Sequence, residues 1–104
     1  MARDITQLWE AIQTTGHHVV IDIDQVRPDG TFDLEASHSN GSVKGRGSGE
    51  LRSDRIFFII DWNNNTRGSY QGFFDPDNFI NGSAFDVNNP SSVAGWRSNR
   101  DFSP

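Results

Sequence analysis

Hydrophobic and polar positions change their period once along the chain. Ile5, Leu8, Trp9 and Ile12 recur at i, i+3, i+4 and i+7, the spacing that lines up side chains on one face of a helix. Asp4 followed by Gln7 is a capping signal and Gly16 a stop. The pattern therefore predicts a helix over 4–15.

Beyond Gly16 the period is two. Val19, Ile21 and Ile23 alternate with Val20, Asp22 and Asp24, and Phe32, Leu34 and Ala36 alternate with Asp33, Glu35 and Ser37. One side is dry and the other wet, as in a half-buried strand. Between them, Arg27-Pro28-Asp29-Gly30 has the residue order of a tight turn. Residues 42–51 place Val43, Gly45, Gly47, Gly49 and Leu51 on one side. Alternating glycines require either bulk pressed against that face or a sharp coil of the strand. Residues 55–62, 68–74, 79–87 and 93–102 read as further strands. The expected fold is mainly β: an antiparallel up-and-down meander of about seven strands forming a barrel or strongly curved sheet, with one N-terminal α-helix packed on it or plugging one end. Residues 1–104 then form a single domain, helix 4–15 followed by meander 17–102.

If successive strands reverse, the turns fall alternately at two poles. One pole collects Asp29, Asp54, Asp75 and Asp77 with Arg27, Arg52 and Arg55; the other collects Asn40, Asn63, Asn64, Asn65, Asn88 and Asn89. Trp62 ends a strand at the Asn pole, His38 sits there, and Trp96 lies near the start of a strand leaving it. Asn enters turns for its own backbone chemistry, so an Asn-rich loop requires no function.

Composition narrows the partners. The 104-residue chain can bury roughly 60 to 65% of its unfolded surface. It has no cysteine, which excludes disulfides and thiolate sites. Nine basic residues against fourteen acidic ones leave a net charge of −5, with the basic residues scattered singly. That argues against nucleic acid. No secretion signal or membrane-length apolar run is read, so the expectation is no membrane partner and a cytoplasmic location by default. Asn40-Gly41-Ser42, Asn64-Asn65-Thr66 and Asn81-Gly82-Ser83 match the glycosylation pattern and, without a signal peptide, are read as chance.

A flat aromatic beside fixed amides suits a sugar, whose C–H face stacks while its hydroxyls hydrogen-bond. Trp62 and Trp96 as stacking surfaces, with Asn63, Asn65, Asn88 and His38 as hydrogen-bonding groups, form the candidate site; both indoles fit equally as core. Catalytic signals are weaker. Asp22 and Asp24 stand roughly 6.6 Å apart by the strand rise, a span that fits glycoside hydrolysis, yet they face away from the apolar set. Adjacent His17 and His18 point to opposite faces, leaving only His38 for a zinc site. Asp75-Pro76-Asp77-Asn78 lacks the later Gly and Glu of an EF-hand loop. No catalytic residue, metal or cofactor is assigned.

The stretch "IDWNNNTRGSYQGFF", followed by "AGWRSNRDF", resembles the second half of the avidin and streptavidin family, and "VRPDGTFDLEAS" resembles that family's second hairpin. The resemblance covers about half the chain. It implies a calycin-type up-and-down barrel with a ligand in its mouth and a preference for oligomers. It places Trp62 and Trp96 as aromatic walls, Thr66 among the polar groups and Tyr70 in an aromatic place. Ala11 stands where the family needs an Asn, and position 38 is His rather than a small hydroxyl residue. The first expectation is a non-catalytic, lectin-like carbohydrate-binding module. The alternative is an avidin-like or lipocalin-like binder of a small apolar molecule inside the barrel, with its cavity along Gly45, Gly47 and Gly49. A third is a small barrel hydrolase or isomerase. Open strand edges and abundant aromatics further suggest a homo-oligomer.

Overall fold

The computed structural model describes residues 4–38, 41 and 43–102. Eight strands follow in chain order: β1 Gln7–Gln13, β2 His18–Val26, β3 Thr31–His38, β4 Lys44–Arg52, β5 Arg55–Trp62, β6 Arg67–Phe74, β7 Ile80–Asp86 and β8 Asn89–Ser98. Each pairs antiparallel with its neighbour, and β1 pairs with β8 through Ala11↔Ser98, Ile12↔Arg97 and Gln13↔Trp96, closing the barrel. The mainly β, up-and-down reading holds. The strand count rises from about seven to eight, and the last strand starts at 89 rather than 93.

The helix expected over 4–15 is absent; that segment is β1. Trp9 and Ala11 are fully buried, whereas Leu8 is 62% and Ile12 38% exposed. The real period is therefore two, with Trp9, Ala11 and Gln13 turned inward. Helical spacing of four apolar residues is worth little by itself, because a lone helix this short is marginal. As a strand, the segment pairs six residues with β2 and closes the ring against β8. Gly16 punctuates either structure: at φ +92 it forms the hairpin turn, its N–H donating to the Gln13 carbonyl at 2.9 Å. Closure also removes the open edges on which the oligomer expectation rested.

The barrel interior is filled to one end. Ile21, Ile23, Phe32, Ile56, Phe58, Ile60 and Ile80 are buried and point inward, as strand alternation dictates. Trp9, Phe102 and Ile5 cap the floor: Trp9 meets Phe102 edge-on at 5.3 Å, and its indole N–H donates to the Ile5 carbonyl at 3.2 Å. The three glycines of β4 face inward and have no space above them. A side-chain carbon at Gly45 would meet Ile60, Asp61 and Trp62 within 2.9 Å; at Gly47 and Gly49 it would strike the β5 backbone. Bulk and coil therefore act together, and the cavity expected along this face is occupied by core.

The two poles are chemically distinct. Antiparallel order sends the turns at 27–30, 53–54 and 75–79 to the floor end, and those at 14–17, 63–66 and 87–88 to the mouth, with Gly41 between β3 and β4. Asn40 lies outside the described residues.

Candidate functional site

The mouth of the barrel opens into a cup of about 310 Å³. β5 brings Trp62 to its wall, β6 brings Tyr70 to its floor, and β1 and β3 contribute Gln13 and His38. Thr66, His17, Asp86 and Ser92 line the rim, with Ala84 and Ala94 leaving width between them. Small residues face the cup on β6, β7 and β8 where large ones fill the barrel below.

Tyr70 separates the wet cup from the dry core. Its ring stacks on Phe58 at 5.0 Å and 9°, and folds over Gly68, where a side-chain carbon would come within 2.8 Å of it. The side chains of Trp62 and Gln13 hydrogen-bond its hydroxyl, tying β5 and β1 to β6 across the interior. Burial pushes the phenol up to about 12 against the opposing pull of those two bonds, so Tyr70 is a neutral hydrogen-bonding group at physiological pH. Beside it, His38 lies 4.9 Å from the Trp62 ring and 5.8 Å, edge-on, from His17. Burial, then the neighbouring His17, holds His38 below the ordinary imidazole range.

Of the residues expected at the site, Trp62, Thr66, Tyr70 and His38 line the cup. Asn63, Asn65 and Asn88 do not line it: they are exposed in the turns and do local work. Asn63 pairs with Lys44, accepting from its N–H at 3.4 Å and donating to its carbonyl at 2.7 Å. Asn65 takes the left-handed turn position at φ +67, and the backbone N–H of Asn88 donates to Asp86 Oδ1 at 2.9 Å. Asn64 Oδ1 accepts from both the N–H and the hydroxyl of Thr66. Trp96 is not at the rim but deep in the barrel, 3% exposed, between Trp9, Phe58 and Tyr70, its indole N–H donating to the Ser83 carbonyl at 3.1 Å.

Among the polar lining residues, sequence reading missed Gln13, Thr15, His17, Arg67, Asp86 and Ser92. Gln13 alternates with Trp9 and Ala11, and Asp86 with Ala84 and Gly82, so inward position was recoverable once both strands were recognised. Asp22 and Asp24 are exposed on the outer wall, in a shallow depression with Asp33, Glu35 and Arg46.

Comparison with known proteins bears on the fold. No protein-family model matches the chain. No curated protein matches it either. Three solved structures are similar over nearly their whole length. A redesigned β-barrel has 16% identity and a TM-score of 0.68, covering 93% of this chain and 92% of the other. The redesigned β-barrel mFAP1, solved bound to DFHBI, has 13% identity and a TM-score of 0.66, with 91% and 94% covered. EF1p2_mFAP2b, also bound to DFHBI, has 14% identity and a TM-score of 0.62, with 90% of each chain covered. At such identities the likeness is one of architecture alone: a closed, up-and-down, eight-stranded β-barrel, with no specific likeness to avidin or streptavidin shown.

Proposed function

We propose that the protein is a small-molecule binding barrel whose mouth cup takes a compact, planar, ring-bearing ligand. The observation that carries this reading is a cup with one aromatic wall, Trp62, and one buried hydroxyl, Tyr70, set over a sealed core. A concave site in which polar groups converge on an aromatic wall is a common form of ligand pocket, and about 310 Å³ is near the lower end of the range for such pockets. That volume suits one or two fused rings. Two barrels of similar fold are solved with DFHBI bound, which supports the use of this architecture for a small molecule. From the avidin resemblance the reading keeps Trp62, Thr66 and Tyr70 as lining groups, and drops Trp96.

Carbohydrate binding loses its support at the rim, because the amides expected to grip hydroxyls hold turns together instead. The test is a thermal-shift screen of planar aromatic compounds. A ligand at a hundredfold excess over its dissociation constant stabilises by about 2.7 kcal/mol, a rise of roughly 10 °C for a domain of this size. Binding should quench Trp62, since Trp9 and Trp96 are sealed beneath the cup. Trp62→Ala should remove binding; a ligand held equally well by that variant refutes the site.

A further inference from the structure

The charged groups at the mouth are not evenly placed. In a ring of eight strands β3 and β7 stand four apart, on opposite sides. Asp86 lines the cup from β7, while His38 lines it from β3 with His17 against it from the β1–β2 turn. Asp86 is the register partner of Gly68, over which the Tyr70 ring folds, and all three line the same cup, with Asp86 Oδ1 accepting from the Asn88 N–H and Oδ2 left for a ligand. Arg67 also reaches the lining, but Asp61 Oδ1 neutralises it at 2.5 Å. Lys44 of β4 alternates with inward Gly45 and points outward.

We infer that the cup selects a cation: a small aromatic amine whose ring lies against Trp62 and whose protonated nitrogen is held at Asp86. This rests on the small-molecule reading above and names the class of ligand. An ammonium beside a carboxylate gains a charge-assisted hydrogen bond that an uncharged group does not. A carboxylate ligand would meet Asp86, an uncharged His38 and a chain of net charge −5. The field of the whole molecule adds to the same preference.

The histidines give the site a pH response. His38 faces His17 from the turn, Trp62 from β5, Arg67 and Tyr70 from β6 and Asp86 from β7, all around one cup. Near neutrality His38 is uncharged, held so by burial and by His17. Acidification places positive charge across the mouth from the bound ammonium and weakens its hold.

The test uses the full chain and three indoles of similar size: tryptamine, uncharged indole-3-propionamide, and indole-3-propionate. Titration calorimetry at about pH 7.5 should show tryptamine bound roughly tenfold tighter than the amide, with the propionate weakest. Raising salt from about 20 mM to about 500 mM should erode the tryptamine advantage and spare the amide; this comparison needs no variant. Asp86→Asn, which keeps an acceptor for the Asn88 N–H, should collapse the ratio of the two affinities towards one. Acidification should weaken tryptamine several-fold, and His38→Gln should reduce that loss; a loss of the same size in the variant overturns the role of His38. Equal binding of all three indoles, insensitive to salt, overturns the cation inference and leaves the ring-binding cup standing. No binding of any of them at millimolar concentration overturns both.

Discussion

Gly47→Ala sets the packing of the barrel against an offsetting gain, and the structure decides which wins. Gly47 sits on the inner face of β4, opposite Leu34 of β3 and Ile60 of β5. An added methyl would run into the Ile59 carbonyl oxygen, and would lie 2.9 Å from its carbonyl carbon and 3.1 Å from Ile60 Cα. These are backbone atoms of the neighbouring strand and cannot rotate aside, so β4 must move off β5. Overpacking of this kind costs about 1–3 kcal/mol, and one or two weakened ladder hydrogen bonds add about 0.5–1.5 kcal/mol each. Against this, replacing glycine stiffens the unfolded chain and returns only about 0.4–1 kcal/mol. The net loss is about 3 kcal/mol, a large part of the roughly 5–15 kcal/mol that holds a domain of this size together. Gly95→Ala is the control. Its methyl would press on the tip of Thr14, at 3.3 Å, a side chain that can yield, and reach the Gly82 carbonyl oxygen only at an ordinary contact of 3.7 Å, so its stability should stay within about 1 kcal/mol of the parent. Thermal and urea unfolding followed by circular dichroism read both, with a melting point at least roughly 12 °C lower expected for Gly47→Ala. A Gly47→Ala protein melting within about 2 °C of the parent would show that β4 and β5 are not in such close contact, and the account of the glycine face would fall.

Tyr70 is the only tyrosine in the chain, so ultraviolet titration reads a single phenol. Its midpoint should lie near 12; because the folded value is raised above the unfolded one, its contribution to stability is complete below about pH 10 and lost as pH rises towards 12. A midpoint near 10 in the folded protein contradicts the buried, hydrogen-bonded floor. At the floor end of the barrel, burial raises the Asp75 carboxyl, but hydrogen bonds from Asn81, Phe79 and Asp77, together with Arg97, outweigh it and hold it below the usual carboxylate range. A depressed value means stability that is complete above about pH 5 and declines as pH falls towards the folded value, so Asp75→Asn should flatten the acid limb of a urea-unfolding series; an unchanged slope counts against it. At the β1–β8 seam, Asn99 Oδ1 accepts from the Glu10 N–H at 3.0 Å and the Asn99 N–H donates to the Glu10 carbonyl at 2.9 Å. Asn99→Ala should cost about 1 kcal/mol and speed amide exchange at Glu10 through Gln13 more than elsewhere; uniform exchange would show that the seam is no weaker than the hairpins.

The alternation of β2 through β6 was legible because each strand has one wet and one dry face, and reversal of direction then fixed the two poles. β1 was misread because only Trp9 and Ala11 of its apolar residues turn inward. Leu8 and Ile12, which completed the helical spacing, lie outside, and only a barrel lacking its closing strand gives the segment a reason to be extended. Of the aromatics expected at the site, Trp62 and Tyr70 line the cup and Trp96 does not. Alternation puts all three on the inner face, and the sequence alone could not say how deep along the barrel each one lies. Asn63, Asn65 and Asn88 act through backbone turns, a use that composition cannot separate from ligand recognition. Trp96 was placed too near the mouth because its strand begins four residues earlier than its hydrophobic pattern.

Closure by β1 and β8 has a kinetic meaning. Seven of the eight seams join neighbours through short reversals and can form locally, whereas Ala11 finds Ser98 only after almost the entire sequence has been ordered. Such long-range pairing slows folding more than it affects the final equilibrium. Until it happens, the nascent sheet carries two raw borders, at β1 and β8, and at high concentration either one can zip onto another molecule before the ring shuts.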